Sequence, residues 1–157
     1  MERWVSLSLV ALMGCAPKGN SVDTCTEPPP TTPRCCDSSY TVATISDVLS
    51  NPGTYVYTHV EVTGAAEWYQ DPRQGADCIC AGDACGCIVP LGVMSTTCNV
   101  ILPLSGDYRG RPVQCASDGC WPLTILQSYA VCGTLQPGDP TQFGSLPVLA
   151  VDTFCGL

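Results

Sequence analysis

Four cysteines crowd into ten residues at Cys78, Cys80, Cys85 and Cys87, in the stretch CICAGDACGC. As thiolates, four such sulfurs satisfy Zn²⁺ tetrahedrally; oxidised in pairs, the same four make two disulfides. The pairs are C-x-C, whereas the zinc knuckle is C-x-x-C, whose turn aims both sulfurs at the ion. If Ala81 to Ala84 form a four-residue hairpin loop, Cys80 faces Cys85 and Cys78 faces Cys87. Side chains alternate with period two along a strand, so all four sulfurs then lie on one face of the ribbon. Opposed Cβ atoms sit ~4.5 to 5.5 Å apart against ~3.5 to 4.5 Å in a disulfide, a gap that twisted pairs close. Disulfides are the expectation and no cofactor is expected, with zinc on Cys78, Cys80, Cys85 and Cys87 as the alternative. No pair has the C-x-x-C spacing of thioredoxin-like redox centres.

Elsewhere the chemistry-bearing residues are sparse. Cys115 and Cys120 close a short loop in CASDGCW, read as a structural bridge with Trp121 covering it. His59 is the single histidine. With no G-x-S-x-G elbow, nothing assembles a nucleophile, a base and an orienting group. Glu61 and Glu67 read as a solvated face, and Arg109 and Arg111 as a loop pair neutralised by Asp107. No catalytic residue is assigned, and the chain is expected not to be an enzyme.

The elements that must carry these residues read as strands. YVYTHVEVT, residues 55–63, alternates Val56, Thr58, Val60 and Val62 on one face with Tyr55, Tyr57, His59 and Glu61 on the other. Gly64 invites a bulge that lets the strand bend on through AAEWYQ. Ahead of it, Ser46 is a candidate N-cap for one short helix that stops at Asn51-Pro52-Gly53. Further strands are expected over 87–91, 99–104, 123–126, 129–135 and 146–151, and no segment of ten residues keeps a helical period. The fold class is all-β and disulfide-rich: a small barrel or sandwich of about five to seven strands with one short helix.

Composition sets the compartment. The chain has 157 residues, 13 cysteines and a net charge of −8. The acids run from Asp23 to Asp152 without forming a tail, which disfavours nucleic acid and anionic lipid head groups as electrostatic partners. Arg3 precedes an apolar run from Trp4 to Met13, too short to span a bilayer permanently, and then Gly14 and Cys15, as in an export signal. LMGC at Leu12 to Cys15 resembles the lipobox of bacterial lipoproteins, which implies lipidation of Cys15. By the same resemblance, Ala16 after it implies the outer membrane. Setting Cys15 aside leaves an even number of cysteines, as a disulfide-bonded exported domain requires. The candidates for bridges are Cys25, Cys35, Cys36, Cys78, Cys80, Cys85, Cys87, Cys98, Cys115, Cys120, Cys132 and Cys155.

Residues 1–14 are thus expected to be a signal peptide, 15–34 an anchor and proline-rich tether, and 35–157 the β-domain. The nineteen residues from Ala16 to Arg34 reach at most about 60 Å as polyproline II. Cys25 inside the tether is expected to pair back onto the domain.

TISDVLSNPGTYVYTHVEVTGAAEW resembles the opening of exported OB-fold-like domains, a short helix and turn before a bent V-x-V-x-G strand. YAVCGTLQPG, residues 129–138, resembles their later V-x-G-x-L strand, and DGCWPL, residues 118–123, a G-C-W stretch seen in some of them. The resemblance implies a barrel and says nearly nothing of activity. An OB-like barrel raises nucleic-acid binding as a class, but a pI near 4.2 and export argue against it. The functional expectation is a membrane-anchored, non-catalytic binding or envelope-structural module whose partner is an envelope protein or small ligand. The alternative is a metal-binding or thiol-redox protein using the Cys78 to Cys87 cluster.

Overall fold

A computed structural model describes residues 25–28, 35–69, 77–81, 84–116, 119–143 and 145–157; the side chains of 77–87, 141 and 142 are outside the description. The expected signal peptide, Cys15 and the remainder of the expected tether therefore lie outside the described residues. The first described elements are a two-residue strand, β1 (Thr41–Val42), and two short helices, α1 (Ile45–Ser50) and α2 (Pro52–Tyr55). Thr44, not Ser46, caps α1: its hydroxyl accepts the Asp47 amide at 3.0 Å. Ser46 lies inside the first turn, and the carboxylate of Glu27 accepts its N–H at 2.7 Å. Asn51-Pro52-Gly53 extends the helical stretch where a stop was expected, because proline at the first helical position is already set for the turn.

That turn displaces the next strand. Tyr57 adopts a left-handed φ of 65°, so β2 begins at His59 and runs to Trp68 instead of spanning 55–63. Val60 and Val62 face the core with no exposure, as their alternation demands. Two strands follow, β3 (Asp77–Ala81) and β4 (Ala84–Met94), and then β5 (Ile101–Ser105). SGDYRGRP folds as a small hairpin of β6 (Asp107–Tyr108) and β7 (Arg111–Pro112). Its loop residues Arg109 and Gly110 have φ of 52° and 76°, the pattern of the turn that matches strand twist. A second hairpin, β8 (Gln114–Ala116) and β9 (Gly119–Trp121), precedes the long β10 (Ser128–Gln136); α3 (Pro140–Phe143) then leads to β11 (Val148–Gly156).

Residues 123–126 are not a strand. Leu123 is fully buried while Leu126 takes a φ of 66° and is 74% exposed, so this stretch is an anchored turn. The Leu126 N–H bonds the Ala66 carbonyl at 2.8 Å, and the Thr124 N–H bonds the Tyr129 hydroxyl at 3.0 Å.

The main sheet closes on itself. β2 pairs antiparallel with β10 from His59 to Ala65, then with β4 from Ala65 to Trp68; β10 pairs with β11, β11 pairs parallel with β5, and β5 pairs with β4. The ring β2-β4-β5-β11-β10 is a five-stranded barrel with one parallel contact, the strand order of an OB-like barrel. Among the described residues the strand number exceeds the expected range because β1, β3 and the two small hairpins add short ladders around the ring, and three helices of four to six residues stand where one was expected.

The change of partner along β2 replaces the expected bulge. Register against β10 is unbroken through Gly64, and the glycine is needed for close approach: a Cβ there would lie 2.4 Å from the Met94 carbonyl oxygen. The bulge falls at Cys132/Gly133 opposite β11, with Asp152 as the extra residue. Inside the ring pack Val60, Val62, Leu91, Val93, Leu102, Leu104, Val131, Leu135 and Leu149, with Ile45 and Val48 of α1 in the same cluster.

Residues 25–28 of the expected tether are docked on the domain. Cys25 is bonded to Cys98, and the Glu27 contact to α1 lies two residues on, so the stretch beyond Cys25 would not add to the reach of a tether.

Candidate functional site

Because Val60, Val62 and Val131 point into the barrel, their strand neighbours Glu61 and Cys132 point out of it, paired directly across β2 and β10. Cys155, opposite Ala130, shares that outward face. The segment from Cys35 to Val42 covers it. Cys35 is bonded to Cys155 and Cys36 to Cys132, and β1 pairs parallel with β2, Thr41 beside Val60. The Cys36 N–H donates to Glu61 Oε2 at 3.1 Å, and the Ala43 N–H to the Glu61 carbonyl at 3.0 Å.

This cover buries Glu61 to 3% exposure, against the solvated position expected for it. The Sγ atoms of Cys35, Cys36 and Cys132 all lie within 4.8 Å of one another, so two disulfides share one compact pocket of sulfur. Cys132 is fully buried; Cys35, Cys36 and Cys155 are half-buried.

Beside this pocket the same face carries a polar cluster. Thr134 is paired with His59, and the bulge turns Asp152 towards both. The Tyr40 hydroxyl donates to Asp152 Oδ2 at 3.2 Å, and the Tyr40 and His59 rings meet edge-on at 5.4 Å. His59 Nδ1 lies 3.2 Å from Thr134 Oγ1 and 3.8 Å from Asp152 Oδ2. A hydroxyl, imidazole and carboxylate are thus together, but both partners share one ring nitrogen. A relay needs the nucleophile on one nitrogen and the acid on the other, so this is not triad geometry. Burial and the neighbouring Asp152 carboxylate raise the Tyr40 phenol above its ordinary value. Hydrogen bonds from the Ser39 side chain and amide hold the Asp37 carboxyl below the usual range.

The cysteine hairpin has the expected backbone register, Cys78 beside Cys87 and Cys80 beside Cys85. Its sulfurs, and with them the choice between bridges and zinc, lie outside the described residues. Cys115 and Cys120, opposed in β8 and β9, are bonded. Glu67 accepts the Trp68 N–H at 3.0 Å and is not drawn to Glu61.

The two arginines do not pair with Asp107. Arg111 lies 4.4 Å over the Trp121 ring and Arg109 5.3 Å from the Tyr108 centroid. Trp121 is held in place by its Nε1–H bond to the Tyr108 carbonyl at 3.2 Å. An open groove of about 550 Å³ runs between α2 and the 137–147 turn, lined by Pro52, Val56, Tyr57, Pro137 and Pro147. Among the described lining residues, Tyr57 and Ser145 carry the polar side chains.

Compared with models of known protein families, with curated proteins and with solved structures, the chain matches none. Sequence reading missed the convergence of Glu61 with Cys35, Cys36, Cys132 and Cys155. The available signal was the adjacent pair Cys35-Cys36, which can tie only to partners that share one small area.

Proposed function

We propose that this chain is an exported, lipid-anchored, non-catalytic binding or envelope-structural module at the bacterial outer membrane. The observation that carries the reading is the disulfide arrangement. Three of the described bridges join residues 73, 120 and 96 positions apart, closing the ends of the domain onto the barrel. Bridges of this kind persist only in an oxidising compartment, in keeping with the leader ahead of Cys15. Among the described residues the face they build brings Thr134 and Asp152 to the same nitrogen of His59, and the groove is lined mainly by apolar side chains, which favours binding over turnover.

Two measurements on the native organism test this. Cys15→Ser should abolish incorporation of labelled palmitate and move the protein from the membrane to the soluble fraction. Intact mass before and after reduction and alkylation should show the described bridges in the wild-type protein. Undiminished palmitate labelling of the variant, or fully reduced cysteines in the native protein, would sink the proposal.

A further inference from the structure

The pocket of sulfur over β2 and β10 supports more than a static clamp. Three sulfurs within 4.8 Å of one another compete for two bonds, so Cys132 has two neighbours at exchange distance, Cys36 to which it is bonded and Cys35 to which it is not. Access is graded. Both ends of the Cys35–Cys155 bond are half-buried, whereas the Cys36–Cys132 bond joins a half-buried residue to one with no exposure, so a reductant from solvent can reach the first bond from either end and the second only at Cys36. Glu61 anchors the arrangement: its buried carboxylate holds the Cys36 amide, and its strand position faces Cys132 across the ladder. It acts as a positioning residue that keeps the Cys35-Cys36 dipeptide seated over Cys132.

We propose that Cys35, Cys36, Cys132 and Cys155 form a thiol–disulfide exchange centre, in which reduction entering at Cys35–Cys155 is passed on to the buried Cys132. The co-reactant is a dithiol. One of its thiolates attacks Cys155 Sγ, and the Cys35–Cys155 bond breaks with the electron pair leaving on Cys35. The second thiol resolves the mixed disulfide, so the dithiol departs oxidised and Cys155 is left as a thiol. The Cys35 thiolate then attacks Cys132 Sγ; a Cys35–Cys132 bond forms, the Cys36–Cys132 bond breaks, and Cys36 leaves as a thiolate that takes a proton from solvent. Two electrons and two protons have moved from the dithiol to the protein, which has lost one disulfide and gained thiols at Cys36 and Cys155. Exchange of this kind proceeds by thiolate attack along accessible sulfurs, so graded access sets its direction of entry. The outcome unties β11 from Cys35 while the segment over Glu61 stays tied to β10, and it leaves Cys36, as its thiolate, able to attack a partner's disulfide, forming a mixed disulfide as that disulfide's other sulfur leaves as a thiolate.

The test is a labelling pattern on the wild-type, fully oxidised chain. Dithiothreitol is added in limiting amount without denaturant, free thiols are trapped with N-ethylmaleimide, and the remaining bonds are reduced and labelled with iodoacetamide. Trypsin cuts after Arg34 and makes Cys35 the first residue of its peptide, so the first fragment ion separates label on Cys35 from label on Cys36. Among molecules carrying two maleimides within these four positions, the proposal expects them on Cys36 and Cys155, with Cys36 carrying more than Cys35. Maleimide on Cys35 and Cys155 with Cys36–Cys132 intact would overturn it, as would maleimide on Cys36 and Cys132. It also fails if none of the four positions is trapped until denaturant is added.

Discussion

Glu61 is a carboxylate in a strand whose alternation points it away from the core, yet it is as buried as the valines beside it. The strand pattern correctly assigns its side of the sheet. What the pattern lacks is the cover, since residues 35–42 are brought over that face by disulfides whose partners are 96 and 120 residues distant. Glu61→Ala should cost about 1 to 3 kcal/mol, because it strips the acceptor from the half-buried Cys36 amide. Glu61→Gln, which keeps an acceptor there, should cost less. Urea unfolding with bridges intact measures both.

Tyr40 has the opposite character, an exposed-looking aromatic made informative by its partner. Its phenol pKa is raised in the folded state by burial and by Asp152. The sign follows: the contribution is fully present below the unfolded value of about 10 and is lost as pH rises through the higher folded value. Absorbance titration should therefore show one tyrosine ionising late, a component missing from Tyr40→Phe and shifted down in Asp152→Asn. An unchanged titration curve in both variants would remove Tyr40 as its source.

Among the elements, β2 was legible in substance and misplaced in extent. Val60, Val62 and Gly64 announce a bent strand, but Pro52 at a helix start and the left-handed Tyr57 take four residues that alternate as convincingly as a strand. Residues 123–126 failed for a related reason: Leu123 and Ile125 look like strand positions, whereas tertiary hydrogen bonds to Ala66 and Tyr129 bend the chain between them. The glycines show where local pattern gives way to packing. On β10, opposite the β11 bulge, a Cβ on Gly133 would meet the Ala150 carbonyl oxygen at 2.1 Å. Backbone cannot yield as a side-chain tip does, so Gly133→Ala should destabilise the barrel by about 1 to 3 kcal/mol or more. Thermal unfolding should report it, with Gly53→Ala, where nothing lies within 4 Å, as the control that moves far less.

For the molecule as a whole, the bond between Cys25 and Cys98 decides how the barrel relates to whatever holds its N-terminus. Under the lipoprotein proposal only the nine residues Ala16 to Thr24 separate the anchor from this latch, a reach of about 30 Å, half that of an unlatched tether. The latch also closes a long stretch of chain, and in the loop-entropy account a closure of this size contributes up to about 4 kcal/mol. A soluble Cys15→Ser form separates the two effects. Trypsin cutting at Lys18 and Arg34 generates the segment 19–34, which should stay with the barrel in a non-reducing mass measurement and leave on reduction. In the additional double variant Cys25→Ser, Cys98→Ser it should leave without reductant, and the melting temperature should fall. Retention in that variant would show that contacts such as Glu27 to Ser46 suffice to hold the tether, and the latch would then govern stability but not reach.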